Sequence, residues 1–97
     1  MKFVSFEWDE GKNQSNIKKH GVSFEEARSV FYDEEAVEFY DIEHASKEER
    51  FLLLGMSRKP NLLMVCHCLR RNDTVIRIIS ARKATKNECQ HYTRSTP

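Results

Sequence analysis

Val75-Ile-Arg-Ile-Ile79 constrains the fold of this chain more than any other stretch. Four of its five residues are β-branched, and such residues prefer a pleated, buried surface, so the run reads as a strand over about 74–81. Two apolar stretches precede it, at about 50–56 and 62–69. Pro60-Asn61 marks the turn between the first pair and Arg71-Asn-Asp73 the turn between the second. Connections this short make neighbouring strands antiparallel.

Arg77 interrupts the run. A guanidinium there is costly unless it reaches water, a carboxylate or a ligand, so its face of the sheet is expected to be open. If Asn72-Asp73 is a two-residue turn, Cys68 lies opposite Arg77. One face then carries Cys66, Cys68, Arg70, Val75, Arg77 and Ile79, and the other carries Val65, His67, Leu69, Ile76, Ile78 and Ser80. The second set is expected beneath the helices. A three-residue loop would slip the register by one and reverse this assignment relative to the neighbouring strand.

The remaining elements follow from local signals. Phe3, Val4, Phe6 and Trp8 form a first short strand, and Asp9 is an N-cap for a helix over about 10–20 that Gly21 ends. That helix is unusual, because Asn13, Asn16, Ile17 and His20 make a mostly polar face; it either lies loosely on the surface or has its amides in specific hydrogen bonds. Ser23 and Glu26 form a capping box for a second helix, whose Phe24, Ala27, Val30 and Phe31 share a core face. A strand over 36–42 and a charged loop over 43–49 lead into the three strands. Thr85-Lys-Asn-Glu88 is a second capping box, opening a helix to about residue 94 before a tail at 95–97. The expected domain is a single α+β unit over 1–97 in the order β-α-α-β-β-β-β-α. Its antiparallel sheet carries two N-terminal helices on one face, and a C-terminal helix closes the chain.

Composition narrows the functional classes. Hydrophobic residues make up 39% of the chain, against disorder. No apolar run approaches the roughly 20 residues of a membrane helix, and Glu7 and Asp9 cut off any secretory signal. Three cysteines fit a reducing cytosol better than a disulfide framework, giving an expectation of a cytoplasmic protein. The net charge of +1 hides an asymmetry: residues 1–50 carry seven Lys/Arg and thirteen Asp/Glu, residues 51–97 nine and two. A basic half suggests a polyanion surface and an acidic half a basic protein partner; alternatively, the halves pair with each other.

Metal and cofactor chemistry find little support. In Cys66-His67-Cys68 a strand would turn the histidine away from both cysteines, and the spacing is not that of a zinc turn. No histidine and carboxylate are placed to activate a cysteine, and Gly11, Gly21 and Gly55 are too scattered for a phosphate loop. A set of arginines with one strand histidine remains. Metal-free RNA cleavage needs a group to take the 2′-hydroxyl proton, one to protonate the leaving 5′-oxygen, and cations for the charged phosphorane. Arg77, Arg82 and Lys83 suit the last task, Arg82 and Lys83 because they sit beside a helix N-terminus where a phosphate can bind. His67 suits one of the proton transfers, or else is a core histidine. Arg77 has the alternative of a salt bridge to the acidic half, Arg50 and Arg58 of plain solvation beside a strand, and His20 of a contact with its helix dipole.

Phe6-Glu-Trp-Asp9, Asn16, Lys19-His-Gly-Val-Ser-Phe-Glu-Glu-Ala27, Val30-Phe-Tyr-Asp33, Glu49-Arg-Phe51, Gly55 and Ile76-Arg-Ile-Ile-Ser-Ala-Arg-Lys-Ala-Thr85 with Glu88 and Tyr92 resemble, in order, the BrnT family of type II toxins. The resemblance spans nearly the whole chain. It implies a RelE-like α+β fold and a ribonuclease that cuts RNA and so arrests translation, with no cofactor and no metal. It also implies a ribbon-helix-helix antitoxin, BrnA, that neutralises the toxin and with it binds operator DNA. By position the family's basic motif falls on Arg77, Arg82 and Lys83, and its strand histidine and arginine on His67 and Arg70. Arg77, Arg82 and His67 are thus the catalytic candidates, with Lys83, Arg70, Arg50 and Arg58 as RNA-binding candidates. Cys68 stands where many members carry threonine, without the hydroxyl. The alternative is a non-catalytic module that binds RNA or the antitoxin.

Overall fold

The computed structural model describes residues 5–44 and 48–93, so Phe3, Val4, Arg94 and the tail at 95–97 lie outside the described residues. The chain forms β1 (Ser5–Glu7), α1 (Glu10–His20), α2 (Phe24–Ser29), β2 (Val37–Tyr40), β3 (Phe51–Met56), β4 (Leu62–Arg70), β5 (Val75–Lys83) and α3 (Lys86–Thr93). Short 3-10 turns at Val30–Tyr32 and Ile42–His44 extend α2 and β2.

The caps act where the sequence places them. Asp9 accepts the Lys12 N–H at 3.0 Å, and Gly21 leaves α1 in the left-handed region at φ 71°, where a side chain would be strained. Ser23 accepts the Glu26 N–H at 3.0 Å. The Glu26 carboxylate does not close that capping box. It is buried and instead accepts from Ser57 Oγ at 2.7 Å and Asn61 Nδ2 at 2.9 Å, tying α2 to the β3–β4 turn. Thr85 and Glu88 do form a reciprocal box, with bonds of 2.8 and 3.2 Å.

The five strands order as β1-β5-β4-β3-β2. From β2 to β5 they make the antiparallel meander that short turns require. The expectation of a wholly antiparallel sheet needs correcting at one edge, where β1 pairs parallel with β5, Glu7 beside Arg77. The two helices carry the chain from the β1 edge to the β2 edge, and the meander then returns to β1 in the same direction.

Near its turn the β4–β5 register is the one that centres on Asn72-Asp73, with Cys68 opposite Arg77. The connection itself is longer: Arg71, Asn72 and Asp73 all take positive φ, and the Thr74 N–H reaches back to the Arg70 carbonyl at 3.1 Å. Further on, His67 pairs with Ile78 but Cys66 with Ser80, so Ile79 is an extra residue on β5. This β-bulge reverses the phase of everything after it. Ser80, expected on the helix-covered face, lies on the Cys66 face, and Arg82 joins Arg77 there.

The helix-covered face holds the core. Val22, Phe24, Ala27 and Val30 pack on Leu63, Val65, Ile76, Ile78 and Ala81, with Phe6, Trp8, Phe31 and Leu53 at the margin. Each fully buried aliphatic or aromatic side chain contributes about 1.5–3 kcal/mol. The polar face of α1 belongs to this core through hydrogen bonds, the second of its two expected alternatives. Asn13 accepts the Phe24 N–H at 2.8 Å. Asn16 donates to the carbonyls of Val22 and Ala81, both at 2.8 Å, and accepts the Ala81 N–H at 3.2 Å. It thereby completes the edge of β5 beyond the end of β1.

On the other face, α3 covers the end of the sheet where Leu54 and Met64 are buried. The His91 ring stands 5.6 Å from Phe39, and the Tyr92 hydroxyl donates to Asp33 at 2.7 Å. Burial alone would raise the Asp33 carboxyl, but its bonds from Met56, Tyr92 and Glu35 hold it below the usual carboxylate value. Burial and the neighbouring Asp33 push Tyr92 up to about 12, so it stays a protonated donor. No helix among the described residues is long and apolar enough to cross a membrane.

Candidate active site

The bulge brings Arg82 onto the sheet face of Arg70 and Arg77, which α3 leaves partly open, and Arg50, just before β3, joins them. Each meets a carboxylate. Arg77 donates to Glu7 at 3.0 Å, Arg70 to Glu48 at 3.1 Å, and Arg50 Nε lies 3.6 Å from Glu48. Arg82 makes a bidentate pair with Glu88 at 2.8 and 2.9 Å. The Arg82 guanidinium, aided by the Thr85 N–H, pushes Glu88 down to about 2. The helix N-terminus proposed for a phosphate is therefore filled by the chain's own anion. Of the two readings of the charge asymmetry, these contacts belong to the one in which the halves pair with each other, since Arg77 and Arg70 in the basic half pair with Glu7 and Glu48 in the acidic half. The more exposed pairs of Arg77 with Glu7 and of Arg70 with Glu48 contribute about 0–1 kcal/mol each, so there a phosphate can exchange for a carboxylate at small cost.

A cleft of about 340 Å³ opens on this face, lined by Asp41, Glu43, Arg50, Leu52, Cys66, Ile79, Ser80 and Arg82. Its floor is Leu52 and Cys66, its cations Arg50 and Arg82. The Nε of Arg50 is buried and makes no hydrogen bond among the described residues, the Glu48 carboxylate at 3.6 Å standing just beyond that reach. Burial pushes the Cys66 thiol up, away from the thiolate needed in a nucleophile or metal ligand. Among the described residues no group of three His, Cys, Asp or Glu side chains could hold a metal ion.

The other candidates lie elsewhere. His67 is on the helix-covered face, with its ring centroid 4.8 Å from that of Phe31 and 5.8 Å from that of Phe51. It is 2% exposed, its Nδ1 has no partner among the described residues, and its Nε2 stands 3.6 Å from Glu38. Burial pushes it down to about 4, so it is neutral and sealed at neutral pH. The sheet separates it from Arg77 and Arg82, and the grouping of these three in one site needs correcting. Lys83 follows Arg82 on the strand, pairs with Leu63 and points to the opposite face. Arg58 lies in a separate depression of about 500 Å³ on the α2 side, with Arg28, Lys59 and Tyr32. Sequence reasoning missed Glu7, Glu48, Asp41, Glu43 and Ser80. Only Glu88 carried a local signal, its capping box.

A five-stranded sheet with two helices on one face, and a third helix beside an arginine row on the other, is the arrangement of a RelE-like toxin. The model of the family described as "Ribonuclease toxin, BrnT, of type II toxin-antitoxin system" matches residues 8–88, and the chain belongs to that family. Among solved structures it is similar to the ribonuclease toxin BrnT of Brucella abortus, known from a crystal structure at 1.1 Å resolution. That likeness has a TM-score of 0.65 and 25% identity, covering 86% of this chain and 99% of that one. Comparison with curated proteins gave no match.

Proposed function

We propose that the chain is an endoribonuclease that binds an RNA phosphate on Arg50, Arg77 and Arg82, with Arg70 at the margin, and so inhibits translation. The observation that carries this reading is the bulge at Cys66/His67, without which Arg77 and Arg82 would point to opposite faces. An entering phosphate displaces Glu7 from Arg77 and takes the guanidinium in its place. The released Glu7 carboxylate is then positioned to accept the 2′-hydroxyl proton. The 2′-oxygen forms its bond to phosphorus, the bond to the 5′-oxygen breaks, and that oxygen takes a proton from water, leaving a 2′,3′-cyclic phosphate. Arg77 and Arg82 stabilise the phosphorane. No step requires a metal or cofactor. The natural restraint on such a toxin is an antitoxin, here a BrnA-like ribbon-helix-helix protein that with the toxin binds operator DNA.

The buried, neutral state of His67 supports a packing role in place of its expected proton transfer. The carboxylates held against each arginine favour a second reading, a module that binds RNA or antitoxin without cutting. Purified protein incubated with RNA in chelator separates the two. Wild type should cut, Arg77→Ala and Arg82→Ala should each lose about 100-fold or more, and His67→Phe should retain activity in proportion to its folded fraction. Intact RNA with wild type, or equal cutting by all four proteins, would refute the nuclease reading.

A further inference from the structure

The outer edge of β2 differs from the rest of the surface. No lysine or arginine occurs between Arg28 and Lys47, while Asp33, Glu34, Glu35, Glu38, Asp41 and Glu43 crowd the same segment. Among the described residues, no lysine or arginine pairs with Glu34, Glu35 or Glu43. The Asp41 N–H donates to the Arg50 carbonyl at 2.9 Å, so by strand alternation the N–H and C=O groups of Glu38 and Tyr40 point away from β3. The strand is the last in the sheet, and those groups face outward. Beside them Tyr40 is 48% and Ile42 78% exposed. Free edges invite another strand, and proteins commonly blunt them with lysine, which is absent here.

From this combination we infer that the β2 edge is the docking strip for an extended, lysine- and arginine-rich segment of the antitoxin, added to the sheet as a sixth strand. The inference rests on the toxin reading above and locates the surface through which the toxin is restrained. Main-chain bonds to Glu38 and Tyr40 supply register, cations of the segment meet Glu34, Glu35 and Glu43, and apolar side chains cover Tyr40 and Ile42. A second copy of this chain is the poorer occupant, because two such acidic edges repel. The strip also leads to the cleft: Asp41 and Glu43 line it together with Arg50 and Arg82. A basic segment along β2 therefore ends at the cleft mouth, where it excludes RNA.

The test uses the full chain and its purified antitoxin. Hydrogen exchange at the Glu38 and Tyr40 amides should slow in the complex relative to the free chain. The triple variant Glu34→Lys, Glu35→Lys, Glu43→Lys should bind antitoxin about tenfold more weakly or worse, with a flatter salt dependence. A thermal melt shows that it remains folded. No complex at all overturns both this inference and the toxin–antitoxin reading. A complex with unchanged exchange at Glu38 and Tyr40, or undiminished affinity in the triple variant, overturns the docking strip alone. Protection of these amides that grows with concentration of the chain by itself assigns the edge to a second copy and likewise overturns it.

Discussion

Replacing Asn16 by alanine removes the side chain that fixes β5 between the bulge and Arg82. Three buried backbone groups lose their partner: the carbonyls of Val22 and Ala81, each at 2.8 Å, and the Ala81 N–H at 3.2 Å. An unsatisfied buried group costs about 1–3 kcal/mol, and a carbonyl with a spare lone pair or a site that admits water falls at the low end. The expected loss is about 3–4 kcal/mol, a large share of the roughly 5–15 kcal/mol that holds such a domain together. Urea titration should show a lower midpoint with an unchanged slope, and the melting temperature should fall by roughly 15–25 °C. Asn16→Asp sharpens the test, since aspartate keeps an acceptor for the Ala81 N–H but offers no donor to the carbonyls. It should be at least as damaging as alanine at neutral pH and recover partly in acid, where a protonated carboxyl can donate again. Exchange at the Ala81 amide should quicken in Asn16→Ala. A loss below about 1 kcal/mol, or an aspartate variant as stable as wild type, would refute the hydrogen-bond account and leave α1 a helix held by packing.

Three further outcomes follow from the geometry. Burial lowers His67 from 6.5 to about 4, so the unfolded chain takes up a proton first and stability declines as pH falls from 6.5 to about 4. The decline is about 3 kcal/mol at most, and His67→Phe should flatten that window in a pH series of urea midpoints; an unchanged slope would contradict the burial argument. Glu88 behaves as a depressed carboxylate, its contribution complete above 4.5 and lost as pH falls toward about 2. With Arg82 40% exposed, solvent screening reduces that contribution to about 1–2 kcal/mol, and Glu88→Gln should make the acid slope below pH 4.5, to which the depressed Asp33 carboxyl also contributes, shallower while leaving the His67 window intact. At Gly55 an added Cβ would stand 2.8 Å from Val30 Cγ1 and 3.0 Å from Ala36 Cβ. Gly55→Ala should therefore destabilise by about 1–3 kcal/mol, and a melting temperature equal to or above wild type would show that the sheet and the Val30 turn yield freely.

Elements set by neighbouring residues were legible in the sequence. Asp9, Gly21, Ser23 and the Thr85–Glu88 box determined where helices begin and end, because a cap is a bond across three or four residues. The β-branched run and the short turns determined the meander and the pairing of Cys68 with Arg77. They also put His67 beneath the helices and Arg77 on the opposite face.

What alternation along one strand could not supply was decided by the tertiary structure. The insertion of Ile79 has no local signature, yet it moves Ser80 and Arg82 across the sheet and decides which cations share a site. The parallel pairing of β1 brings Glu7 to Arg77 across 70 residues, and Glu26 leaves its capping box for Ser57 and Asn61 because they lie above it. For Asn16 the sequence left a loose surface helix and specific hydrogen bonds as alternatives, and the unpaired edge of β5 with the Val22 carbonyl decided for the second. Sequence thus determined the strands and helices through bonds and packing preferences local to the chain. Which charges and amides meet depends on register and edge, set only when distant segments pack together.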